Sequence, residues 1–66
     1  MARKIIRRRI VEERTGLCRS DLYAKIARGE FPKPVRLGPQ AVGWVEAEVE
    51  AWIADRIAER DTGRAA

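Results

Sequence analysis

Apolar positions in this chain recur in two rhythms, and the changes of rhythm mark the elements. From Val45 to about Arg60, the residues Val45, Val49, Trp52, Ile53 and Ile57 recur at i, i+4, i+7, i+8 and i+12, the single stripe of an amphipathic helix. Glu46, Glu48 and Glu50 near its start and Arg56 and Arg60 near its end suit the helix dipole. A second helix is predicted from Arg19 to Arg28, with Leu22 and Ile26 four apart on its inner face and Gly29 as its stop. A shorter one is predicted from Arg8 to Thr15, with Ile10 and Val11 as its apolar contacts. Gly16 ends that helix, because glycine accepts the left-handed conformation of a C-terminal cap. Cys18 then stands where a Ser, Thr or Asp N-cap is usual. Two short helices joined by a three-residue, glycine-containing turn form the helix-turn-helix pattern.

The helical rhythm breaks at Phe31-Pro32-Lys33-Pro34, since each proline forces the residue before it into an extended conformation. Val35-Arg36-Leu37 alternates, Gly38-Pro39-Gln40 is a turn, and Ala41-Val42-Gly43-Trp44 runs back as a second strand. This small β-hairpin needs a helix to pack on. Arg3 to Ile6 is either an arm or an edge strand. The expected architecture is mainly α with a small β-hairpin, one domain over residues 1–61 followed by a frayed tail at 62–66. Trp44 and Trp52 resemble stacking platforms for single-stranded nucleic acid, but Trp52 lies on the apolar stripe and Trp44 ends a strand against it. Both are therefore expected in the core, and replacing Trp52 by alanine is expected to unfold the protein.

Composition narrows the sources of stability. A chain of 66 residues makes one domain, of a size that is marginal without help. One cysteine and no histidine exclude an intramolecular disulfide framework and a zinc finger. The net charge of +4 is unevenly spread: residues 1–40 hold 11 Lys and Arg against 4 Asp and Glu, whereas residues 41–66 hold 3 against 6. A polyanion is expected to dock at the N-terminal end. No apolar run approaches the roughly 18–20 residues that span a bilayer, and a lone cysteine suits a reducing compartment. The expectation is a cytoplasmic protein, at the nucleoid when bound, with neither a membrane nor a small-molecule partner. These residues offer little to an enzyme: there is no histidine, no metal cluster, no phosphate-binding glycine pattern, and Glu46, Glu48 and Glu50 belong to a solvated helix face. No cofactor is expected.

The ordered set Thr15-Gly16-Leu17-Cys18-Arg19-Ser20, Leu22-Tyr23, Ile26, Gly29 to Val35, Leu37-Gly38, Val42-Gly43-Trp44, Glu48-Val49 and Trp52-Ile53 resembles the AlpA family of prophage-type transcriptional regulators, relatives of phage excisionases and of the MerR DNA-binding domain. The resemblance covers roughly residues 7 to 60. Phe-Pro-x-Pro-Val and Val-Gly-Trp are its most specific parts. It implies a winged helix-turn-helix domain of the MerR/excisionase-like, three-helix kind. The second helix would enter the major groove, the hairpin would serve as the wing, and integrase or excision genes of a mobile element would be under its control. Cys18, Gln40, Asp21 and Ala24 depart from the residue types common in the family, which bears on the DNA sequence preferred.

Double-stranded DNA is thus the expected partner, with affinity from phosphates and specificity from base edges. Arg19, Ser20 and Tyr23 lie at or near the end of the second helix that a recognition helix presents to bases. Arg19 can grip guanine O6 and N7 in bidentate fashion. Tyr23 has two readings that can hold together, a phosphate contact and a partly buried ring. Lys25 and Arg28 on the outer face are phosphate contacts or simply solvated. Lys33, Arg36 and Gln40 are the hairpin's candidates, and Arg7, Arg8 and Arg9 stand over the start of the first helix. Asp21 accepts from cytosine N4, pairs with Lys25, or supports the helix N-terminus. Cys18 is a cap filler in the plain reading and a redox sensor in the sharper one. A single small domain covers little DNA, so self-association is expected, with the acidic C-terminal part of one copy against the basic part of a neighbour. Two alternatives stand beside the regulator: an excisionase that bends DNA beside an integrase, and a protein-interaction adaptor whose basic face meets an acidic partner.

Overall fold

The computed structural model describes residues 3–62. In chain order the elements are β1 (Ile5–Ile6), α1 (Arg8–Thr15), α2 (Arg19–Ala27), β2 (Val35–Gly38), β3 (Ala41–Val45) and α3 (Glu46–Asp61). Three helices thus pack with a small antiparallel sheet of order β1-β3-β2. The N-terminal segment is an edge strand rather than an arm: Ile5 pairs with Val45 and Ile6 with Trp44. The hairpin pairs Val35 with Gly43 and Arg36 with Val42, then shifts register before Gly38 meets Ala41 across Pro39 and Gln40. The Glu46 N–H donates to the Lys4 carbonyl at 2.7 Å, which ties the start of α3 to the β1 segment.

Both helix stops are built as glycine chemistry requires. Gly16 has φ 77° and donates to the Glu12 carbonyl at 2.8 Å. Gly29 has φ 74°. Its N–H reaches the Ile26 carbonyl at 3.0 Å and the Glu30 N–H reaches Lys25 at 2.8 Å, the paired bonds of a Schellman ending. Thr15 also helps the first turn, its hydroxyl donating to the Val11 carbonyl at 2.8 Å and accepting from the Leu17 N–H at 3.3 Å.

The core is small and nearly every element contributes one residue: Ile6, Val11, Leu22, Phe31, Trp44 and Val49. Leu17, Ile26, Val42, Trp52 and Ile53 close around it. Trp44 is fully buried and Tyr23 meets it edge-on at 6.4 Å between centroids. Its indole N–H donates to the Pro32 carbonyl at 3.0 Å, while the Trp52 indole donates to Glu30 at 2.8 Å. Prolines 32 and 34 remove two backbone N–H donors from this connection, and the two indoles bond two of its carbonyls. This double clamp, with Phe31 edge-on to Trp52 at 5.0 Å, sets where the hairpin leaves α2. Among the described residues no buried side-chain polar atom lacks a partner.

Several expectations need correction. Ile10 and Val11 are adjacent on a helix and cannot both point inward; Val11 is fully buried and Ile10 is exposed. Trp52 is half-buried at the rim, and only Trp44 of the two tryptophans is enclosed. The stripe on α3 outruns the short sheet, which leaves Ile57 exposed. Asp61 is helical and Thr62 caps α3, its N–H donating to Ala58 at 2.8 Å; the rest of the expected tail lies outside the described residues. Phe31, known only from its motif, is a core residue. Gly43 needs the absence of a side chain for reasons of space: a Cβ there would collide with Ile5 Cγ2 and stand 3.1 Å from both the Ile6 carbonyl oxygen and Leu37 Cδ1.

Candidate nucleic-acid interface

The geometry of α2 follows from one anchor. Leu22 is fully buried, and at ~100° per residue its burial turns Ser20, Ala24 and Ala27 outward; all three are exposed. Arg19 and Tyr23 flank that outward line on one side, and Asp21, Lys25 and Arg28, at i, i+4 and i+7, on the other. Cys18 has extended backbone and makes no side-chain cap bond. The first helical bond runs from the Leu22 N–H to the Cys18 carbonyl at 2.9 Å, so the N–H groups of residues 19–21 are those a helix leaves over at its start. The exposed end of α2 therefore presents an arginine, a hydroxyl and free backbone donors together, a combination suited to anions and to base-edge acceptors.

Candidates elsewhere fall into three groups. At the far end of α2, Arg28 pairs with Glu30 at 3.2 Å. That arginine, with Lys25 and Arg56 nearby, holds the Glu30 carboxyl below the usual carboxylate range. Arg56 in turn lies over the Trp52 ring at 5.4 Å. Part of the positive charge of Lys25 and Arg28 is thus already answered within the chain, which the sequence spacing alone did not show. Across the sheet, Arg7 donates from Nε to the Val42 carbonyl at 3.0 Å, and Arg36 pairs in register with the same Val42, so these two arginines flank one residue of β3. Lys33, Arg36 and Gln40 are exposed along the hairpin and its approach.

The run at the start of α1 divides into three different situations. Arg7 is its N-cap and is bound to β3. Arg8 pairs with Glu12 at 2.8 Å one turn on. Arg9 is exposed and, among the described residues, has no ion pair. The structure does not form the Asp21–Lys25 ion pair. Nor are Glu46 and Glu50 idle solvated acids: Arg14 Nη1 binds them at 3.0 and 2.8 Å, joining the end of α1 to the start of α3. Those two bonds raise the already high pKa of Arg14. The only cysteine, Cys18, is exposed. Among the described residues no group of three or more His, Cys, Asp or Glu side chains could hold a metal, and no helix is long and apolar enough to cross a membrane.

Three helices on a small antiparallel sheet, with a cationic, exposed helix end, are compatible with a small DNA-binding domain. Comparison with known proteins agrees: residues 4–57 match the family model described as prophage CP4-57 regulatory protein (AlpA), and the chain belongs to that family. It is 52% identical over 48 residues to the uncharacterized protein ORF88 of Enterobacteria phage P4, a match covering 73% of this chain and 54% of that relative. It is 38% identical over 59 residues to the DNA-binding transcriptional activator AlpA of Escherichia coli K12, covering 80% of this chain and 84% of that relative. The chain spans about half the length of the phage P4 relative it matches.

Proposed function

We infer that this protein is a sequence-reading, double-stranded DNA-binding transcriptional regulator of a prophage or integrated mobile element. In this reading α1, the turn at Gly16 and α2 form the helix-turn-helix, α2 enters the major groove, and β2–β3 is the wing. Integrase or excision genes are the expected targets, and the cytoplasm, at the nucleoid, is the expected location. The observation that carries the reading is the exposed start of α2, where Arg19 and Ser20 stand beside free backbone donors over the fully buried Leu22. Family membership and the regulator from Escherichia coli support it. Arg19 and Ser20 are assigned to base edges and Tyr23 to a phosphate, its exposed edge free while the ring leans on Trp44. Lys25, Arg28, Lys33, Arg36, Gln40 and Arg7 to Arg9 are assigned to the backbone, with Arg28 weakened by Glu30 and Arg8 by Glu12.

Fluorescence anisotropy on labelled duplexes, one from the upstream region of the protein's own gene and one scrambled, tests this across a salt series. Neutralising about five phosphates gives a slope near −4.5 in log K against log salt. Preference for the native duplex, reduced by Arg19→Ala, is the expected result. Absence of binding at low salt would refute it and direct attention to an acidic protein partner. Self-association on DNA is retained, but its acidic component must come from residues other than Glu46 and Glu50, which Arg14 occupies. A second reading, an excisionase-like protein that bends DNA beside an integrase, is favoured by one feature: Leu37 and Pro39, both exposed near the hairpin turn, are apolar residues of the kind that wedge between base steps. Duplex that stays straight in the complex would exclude it.

A further inference from the structure

Asp21 is the one acid on α2, on an outer surface it shares with Arg19, Ser20, Tyr23, Ala24, Ala27 and Arg28. Besides the favourable placing of its charge in the first turn of α2, two bonded structural roles are open to a carboxylate at this position, three residues after the cap residue Cys18. It can reach back to the N–H of the cap residue, as in a capping box, or pair with a cation one turn on. Neither is formed. Among the described residues Asp21 accepts no side-chain hydrogen bond and makes no ion pair, although Lys25 stands at i+4 on the same flank. Glu12 and Glu30 are each held by an arginine, at 2.8 and 3.2 Å. Glu13, Glu48 and Asp55 also make no ion pair among the described residues, but none of those three lies on α2.

A free carboxylate is repelled wherever it faces phosphate and is tolerated only against a donor. In the major groove the donors are exocyclic amino groups, N4 of cytosine and N6 of adenine. Adenine sets its acceptor N7 beside that donor, which repels a carboxylate, and guanine and thymine present acceptors, so cytosine is the base that suits an aspartate. Residues at the start of a groove-entering helix are the ones that approach base edges. Asp21 is in that first turn and exposed, and Ala24 at i+3 is too short to fence it off.

We propose that Asp21 is a specificity-determining residue, its carboxylate accepting from the N4 amino group of a cytosine and rejecting guanine or thymine at that position. The proposal rests on the reading of α2 as the DNA-reading helix, and it assigns a base class to a residue that would otherwise only weaken binding.

The test is selection from a randomised duplex library with the wild type, Asp21→Asn and Asp21→Ala, followed by anisotropy on the selected duplex with each base at each position. The wild type is expected to prefer cytosine at one position by about 5- to 150-fold. Asp21→Asn should move that preference to adenine, whose N6 and N7 match an amide. Asp21→Ala should erase it while tightening binding to unselected duplex at low salt. Both variants should melt close to the wild type. Identical base preferences in all three proteins, or preferences lost together with a falling melting midpoint, would overturn the assignment while leaving the regulator reading intact. A wild type that selects no sequence and binds no duplex would overturn both.

Discussion

Trp44 and Trp52 are separated by the structure into two different roles, and replacing each by phenylalanine measures the difference. Trp44 is fully enclosed and its indole N–H is the donor to the Pro32 carbonyl. Phenylalanine leaves a void of roughly 40 Å³, a cost of about 1 kcal/mol at the usual penalty per unit of cavity volume. The part-buried Pro32 carbonyl loses its donor as well, a further cost of about 1–3 kcal/mol. A total of about 2–4 kcal/mol compares with a whole stability of roughly 3–10 kcal/mol for a chain of this size. The melting midpoint should therefore fall by more than ~10 °C. Trp52 is only half-buried. Water can replace its bond to the Glu30 carbonyl, and phenylalanine keeps the edge-on contact with Phe31 and a face for Arg56. The cost there is about 1 kcal/mol. Urea and thermal melts followed by circular dichroism decide the matter, with the denaturant slope confirming that both variants unfold as one unit. Equal losses, or a larger loss at Trp52, would refute the assignment of Trp44 as the buried hub.

Other parts of the fold allow equally direct checks. Gly43→Ala pushes a methyl group against the Ile5 side chain and the Ile6 carbonyl; a loss of about 1–3 kcal/mol in urea unfolding is expected, with faster hydrogen exchange at the β1–β3 pairing than in α2. Arg14→Ala should lower the melting midpoint and make it less sensitive to added salt, because the α1–α3 tie to Glu46 and Glu50 is ionic and exposed. Acid should act on Glu30 in a definite direction. Its folded pKa lies below the ordinary 4.5, so the Arg28 pair contributes stability that is complete above 4.5 and disappears as the pH falls through the lower folded value. In Glu30→Gln that part of the acid sensitivity should be absent, and DNA binding at low salt should strengthen because Arg28 is released.

Much of this molecule was legible from local rules, because the local rules concern neighbours along the chain. Gly16 and Gly29 end helices wherever the chain folds, prolines at 32 and 34 exclude helix, and Leu22 with Ile26 selects one face of α2. Once that face is known, Arg19 and Ser20 must be outside. The family pattern rested on these same local features. What the chain does not reveal locally is which of two adjacent apolar residues turns inward, how far a stripe is covered, and which charges meet. Ile10 lost to Val11, and Ile57 is uncovered because the sheet is shorter than α3. The carbonyls of Glu30 and Pro32 find donors 22 and 12 residues away. Arg14 finds its acids 32 and 36 residues away, which spacing arguments limited to one helix cannot reach. For the same reason only the folded chain shows Arg28 answered by Glu30 and Asp21 left without a partner. Sequence decided which side chains α2 can offer, and tertiary structure decided which of them remain free, because a charge is available to a ligand only after the rest of the fold has had its chance to neutralise it.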